Sequence, residues 1–108
     1  MELKMTIVER LKAQIAEHDV LIYMKGTPDA PKCGFSAQAV SVLKAMGQPF
    51  AFVDILADPE VRATLPQVSS WPTFPQIFVK GELIGGCDIL LSLYESGELK
   101  ALFNKKLG

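Results

Sequence analysis

Cysteine, histidine and tryptophan are scarce in this 108-residue chain, which has two, one and one of them respectively. Cys33 and Cys87 are too few for the multi-bridge framework of a small secreted scaffold, and they leave open one disulfide, between themselves. Even with His18 they fall short of a four-ligand zinc site closed within one chain. An excess of one charge is lacking as well: 11 Lys and Arg stand against 12 Asp and Glu, a formal net charge of -1. Without a basic surplus, no nucleic-acid partner is expected. The longest uninterrupted apolar run is Val20-Leu21-Ile22-Tyr23-Met24. A bilayer span needs about 20 residues, so no membrane partner is expected either. Met1-Glu2-Leu3-Lys4-Met5 has neither a signal-peptide apolar core nor the Arg-rich look of a transit peptide. The expectation is a cytoplasmic protein of a reducing compartment, with Met1 and Met5 both open as the natural start.

The chain does have apolar residues in quantity, 49% of the total, enough for one packed core. Leu3, Ile7, Leu11 and Ile15 recur every four residues, giving an opening helix one apolar stripe. Val20 to Met24 reads as a buried strand. Gly26, Pro28 and Pro31 mark a loop. Ala37, Val40, Leu43 and Met46 form the core face of a second helix, with Gly47 as its C-cap and Pro49 preventing continuation. Phe50 to Ile55 is a second strand. Asp58-Pro59-Glu60 is a strong helix start, and Pro66 predicts an end near Leu65. Gln76 to Lys80 and Glu82 to Ile84 form a hairpin about Gly81. A helix runs from about Asp88 to Tyr94, Gly97 breaks it, and Leu99, Leu102 and Phe103 face a last one. With no internal repeat or linker, residues 1–108 read as a single domain. A βαβ unit followed by a hairpin and a packing helix predicts an α/β fold, one four-stranded mixed β-sheet flanked by helices on both faces.

Cys33 is the residue with the clearest chemistry. It sits in Pro31-Lys32-Cys33-Gly34-Phe35-Ser36, after a strand and a Pro-rich loop, where a helix should begin. Free N–H groups and the positive helix end favour a thiolate there, although a free cysteine is also often a small buried hydrophobe. The position three residues on, where a dithiol redox motif carries its second cysteine, is Ser36, which can donate a hydrogen bond or cap the helix. Cys87 reads either as a distant resolving thiol or as a small residue in a glycine turn. Lys25 follows the first strand and is either a solvated loop lysine or a cation beside the thiol. His18, next to Asp19, fits a helix C-terminus and is assigned no function. Met1, Met5, Met24 and Met46 read as core or terminus rather than as ligands.

Cys33-Gly34-Phe35-Ser36, preceded by Lys25-Gly26-Thr27-Pro28 and followed by Trp71-Pro72-Thr73-Phe74-Pro75 and Gly85-Gly86-Cys87-Asp88, resembles the monothiol glutaredoxins of the CGFS type. The likeness covers nearly the whole chain and is closest to single-domain members. It implies a thioredoxin-like fold, a glutathione site and a [2Fe-2S] cluster shared by two chains. Cys33 is then the cluster ligand and the sulfur that forms a mixed disulfide with glutathione. Lys25 and Arg62 are implied as cations for glutathione carboxylates, and Phe35 belongs to the motif lining the site. Thr73, Phe74 and Pro75, with a cis Phe74–Pro75 bond, are implied to present backbone to the tripeptide, while Trp71 shapes the site's edge. Gly86, Cys87 and Asp88 are implied to hold the γ-glutamyl end, Asp88 also reading as a helix N-cap.

Two functions follow from the resemblance. One is a carrier that forms a homodimer when cluster-bound, with BolA-like proteins and apo iron-sulfur proteins as partners. The other is a glutathione-dependent thiol-disulfide oxidoreductase that deglutathionylates proteins through a single cysteine. The plainest alternative is a thioredoxin-like interaction module with inert thiols.

Overall fold

Val20–Met24 forms β1 as the apolar run predicts, and all five residues are buried. A strand buried on both faces belongs at the middle of a sheet. β1 pairs in parallel with β4 (Ala51–Asp54) and antiparallel with β5 (Gln76–Val79), which in turn pairs with β6 (Glu82–Gly85). The order β4-β1-β5-β6 is the four-stranded mixed sheet expected of a thioredoxin-like fold. The structure, a computed structural model, describes residues 6–108, so Leu3 and the two N-terminal methionines lie outside the described residues.

Alternation along β1 sorts the helices into two layers. Val20, Ile22 and Met24 point into a cluster with Val40 and Leu43 of α2 (Gly34–Ala45), Leu90 of α4 (Cys87–Ser96) and Leu99 and Phe103 of α5 (Glu98–Leu107). Leu21 and Tyr23 point the other way, to Leu11 and Ile15 of α1 (Ile7–Glu17) and Val61 and Leu65 of α3 (Pro59–Ser69). Tyr23 stacks edge-on against Phe78, and its hydroxyl donates to Gln14 at 2.6 Å. Burial holds that hydroxyl above the ordinary tyrosine range. Thr6 caps α1 in a reciprocal box with Glu9.

Several boundaries differ from the sequence reading. α3 continues through Pro66 to Ser69. The proline forfeits the bond to the Arg62 carbonyl, but Leu65 and Val68 on either side remain packed on the core, and the Ser69 hydroxyl donates to the Leu65 carbonyl at 3.0 Å. The β5–β6 turn is Lys80-Gly81, two residues with φ of 51° and 82°, rather than one glycine. Asp88 is not the N-cap of α4: Gly86 holds that place, because the helix starts one residue earlier than expected. In α2 the buried face is Ser36, Ala39, Val40, Val42 and Leu43, with Ala37 only half-buried. The loop after β1 contains a two-stranded hairpin, β2 (Gly26–Thr27) and β3 (Ala30–Pro31).

Candidate functional site

Cys33 is placed by three short contacts at the end of β1. The Lys25 N–H donates to the Ser36 hydroxyl at 3.1 Å, the Lys32 N–H to the Lys25 carbonyl at 2.9 Å, and the Gly26 N–H to Asp54 Oδ1 at 2.9 Å. The hairpin β2–β3 is thereby clamped between β4 and the first turn of α2. Cys33 lies next to that clamp, in extended backbone (φ -147°, ψ 136°), as the N-cap of α2. Its sulfur makes no side-chain capping bond. The amides of Ser36 and Phe35 nevertheless face it, and together with Lys25 they hold the thiol below its ordinary pKa. Ser36 does not cap the helix. It is fully buried, and its hydroxyl oxygen accepts from the Lys25 N–H while the hydroxyl itself adds to the groups that lower the Cys33 pKa.

The sulfur opens on a groove of about 750 Å³. The residues that the resemblance implies for a glutathione site all line it, namely Lys25, Cys33, Phe35, Arg62, Thr73, Phe74, Pro75, Gly86, Cys87 and Asp88, and so does Trp71, whereas Ser36 and His18 do not. β1 delivers Lys25, α3 delivers Arg62, and the loop before β5 delivers residues 71–75. The turn into α4 supplies Gly86 to Asp88. The Phe74–Pro75 bond is cis. Gly86 is packed so closely that a Cβ there would lie 3.3 Å from both the Pro75 carbonyl oxygen and Trp71 Nε1. A side chain at this position would therefore press on both the Pro75 backbone and the Trp71 ring.

Cys87 is a different kind of thiol. Both cysteines are free, so the disulfide left open by the sequence is not formed. Cys87 is buried, and its Sγ donates to Gln38 Oε1 at 3.3 Å. Burial raises its pKa, with the Asp88 carboxylate and a Cys33 thiolate acting in the same direction. Only Cys33 combines exposure with thiolate character. Between pH 6 and 7, substoichiometric iodoacetamide is expected to label Cys33 at least about tenfold faster than Cys87, read by peptide mass spectrometry. Because the Cys33 pKa is lowered and that of Cys87 raised, the Cys33 rate should level off at the lower pH. Equal labelling of both thiols would contradict this electrostatic reading.

The groove also contains residues that sequence reasoning missed. Pro66 and Ile89 line it, each following a recognised residue on the same helix face or turn, Arg62 and Asp88 respectively. Ile89 remains partly exposed, as does Phe35, another residue of the lining. The helical spacing from Arg62 to Pro66 was the available signal.

Comparison with known proteins agrees with this geometry. The family profile described as Glutaredoxin matches residues 20–84, from β1 to β6. Glutaredoxin 4 of Escherichia coli strain K12 is 55% identical over 100 residues, covering 93% of this chain and 87% of that one. The chain belongs to the glutaredoxin family. Among solved structures, this glutaredoxin superposes on a monomeric truncated mutant of Trypanosoma brucei 1-C-Grx1 with a TM-score of 0.84, at 39% identity and covering 95% of this chain and 94% of the other. Reduced poplar apo GrxS14 gives 0.79 at 45% identity, with 91% and 90% covered. With Ser36 where a second thiol would stand, it is a monothiol glutaredoxin, and among the described residues no helix is long and apolar enough to cross a membrane.

Proposed function

We propose that this single-domain, cytoplasmic glutaredoxin binds glutathione along the groove and carries a [2Fe-2S] cluster shared between two copies of the chain, for delivery to apo iron-sulfur proteins. The observation that supports this most is the pairing of one accessible thiolate, Cys33, with a groove bearing cations at Lys25 and Arg62. A tripeptide with two carboxylates suits those cations. Its backbone suits the edge offered by Thr73, Phe74 and Pro75, and its γ-glutamyl end suits the turn at Gly86, Cys87 and Asp88. Phe35, exposed and two residues after the sulfur, lines the same groove.

The donor set fits a shared cluster. Such a cluster takes four thiolates. Among the described residues no group of three or more His, Cys, Asp or Glu side chains could hold a metal ion. With Cys87 buried and kept protonated, one chain offers one good thiolate, so two chains and two glutathiones complete the set. Ligands of which half are exchangeable suit a cargo that must leave, and BolA-like proteins are expected partners of the loaded form.

Anaerobic reconstitution with iron, sulfide and glutathione tests this. A coloured dimer is expected, and the same mixture without glutathione should stay colourless and monomeric by size-exclusion chromatography. Colour that persists without glutathione contradicts the ligand count.

The half-exposed, activated Cys33 also supports a second reading, deglutathionylation. Its thiolate attacks the glutathione sulfur of a protein mixed disulfide and releases the protein thiolate. A second glutathione thiolate then attacks the Cys33–glutathione disulfide, regenerating Cys33 and giving glutathione disulfide. Fast, saturable turnover in a glutathione-coupled assay would favour this reading over the carrier.

A further inference from the structure

Gln76, the first residue of β5, is fully buried, and the three residues after it are buried and apolar. Its Nε2 donates to the carbonyl of Trp71 at 2.9 Å and to that of Thr73 at 3.2 Å. Those two acceptors fix which end of the carboxamide is nitrogen. The other end, Oε1, is buried with no hydrogen-bond partner. An unpaired buried acceptor costs on the order of 1–3 kcal/mol, so an amide is a poor choice for stability at a position whose neighbours are Ile77, Phe78 and Val79. What the amide uniquely supplies is a two-pronged donor that holds the 71–75 segment from behind. That segment is one wall of the groove and carries Thr73 and Phe74.

We propose that Gln76 is a positioning residue: its two N–H bonds set the shape of the 71–75 wall and so the affinity of the groove for a peptide backbone laid along it. The inference rests on the glutathione reading above. It extends that reading to a residue outside the groove lining, one that acts through the Trp71 and Thr73 carbonyls and touches no ligand itself. Trp71 is the chain's one tryptophan, so its fluorescence reports on this wall alone.

The test uses S-methylglutathione, which has the tripeptide but no free thiol. Its Kd is measured for the unsubstituted protein and for Gln76→Met, a change that keeps side-chain length and removes both donors. Gln76→Met is expected to raise the Kd about tenfold, equivalent to about 1.4 kcal/mol. The Trp71 emission should shift, while the alkylation rate of Cys33 stays within about twofold. Should Gln76→Met fail to fold, Gln76→Asn keeps a neutral amide but withdraws it by one methylene from the two carbonyls, and a smaller loss in the same direction is expected. Equal Kd values in a folded variant overturn the role of Gln76 and leave the glutathione reading standing. Absence of binding by the unsubstituted protein overturns both.

Discussion

Replacing Cys33 with serine is expected to abolish cluster reconstitution and glutathione exchange completely while leaving the fold as stable as before, or more so. The two halves of that expectation share one cause. Cys33 is the N-cap of α2, yet its side chain makes no capping bond, so the helix start is held by tertiary contacts rather than by the cap. Serine is among the best N-cap residues, and its hydroxyl can accept from an N–H of the first turn, adding up to about 1 kcal/mol. It cannot supply a thiolate at neutral pH, so every reaction at position 33 ends. Reconstitution with iron, sulfide and glutathione should leave Cys33→Ser colourless and monomeric, and a urea titration should place its midpoint at or above that of the unsubstituted protein. A coloured dimer from this variant would falsify the assignment of Cys33 as the ligand. A fall in stability that persists at acid pH, where the thiol is protonated and the helix end gains nothing from its charge, would show that the sulfur is packed as core rather than poised at a helix end.

The sheet and the thiol were legible in the sequence for the same physical reason: each is a local signal that the fold has no cause to override. Val20 to Met24 is apolar on both faces and became the central strand. Asp58 with Pro59 became the start of α3, with the Asp58 carboxylate accepting from the Val61 N–H. Cys33 after a proline-rich loop became an N-cap. The parts that were not legible depend on distant partners. Nothing in the sequence near Asp54 says that its carboxylate accepts from both Gly26 and Leu56. Ser36 looks like a capping serine until β1 brings the Lys25 N–H to it. Pro66 reads as a helix stop because the cost of the proline is local, whereas the packing of Leu65 and Val68 that outweighs it is not. Gln76 shows the same limit, since a glutamine at a strand start is unremarkable until the loop before it folds back onto the amide.

The second large effect is expected at Gly26, where substitution by alanine should collapse the clamp that presents Cys33. Gly26 has φ of 90°, and a Cβ there would lie 2.5 Å from the Ala30 carbonyl oxygen and 2.8 Å from the Lys32 backbone nitrogen. Both are backbone atoms of the hairpin return, so the clash has no side chain to move and must be relieved by opening β2 from β3. Opening it endangers the 2.9 Å bond from Gly26 to Asp54 and the equal bond from Lys32 to Lys25, the contacts that fix the approach to the thiol. Backbone strain of this kind costs on the order of 1–3 kcal/mol, and the lost hydrogen bonds raise the total further. Gly34→Ala is the matched control. It sits on the other side of the same cysteine, at the first residue of α2, and a Cβ there would meet nothing within 4 Å. Gly26→Ala is therefore expected to lose roughly 3 kcal/mol in urea denaturation, while Gly34→Ala changes by less than about 1 kcal/mol. Gly26→Ala should also lose the fast alkylation of Cys33 near neutral pH, because the sulfur's neighbours, Lys25 and the α2 amides, are held in register by that hairpin. Equal stability in the two variants would mean that the clamp is not what positions the thiol, and that the α2 N-terminus alone accounts for its reactivity.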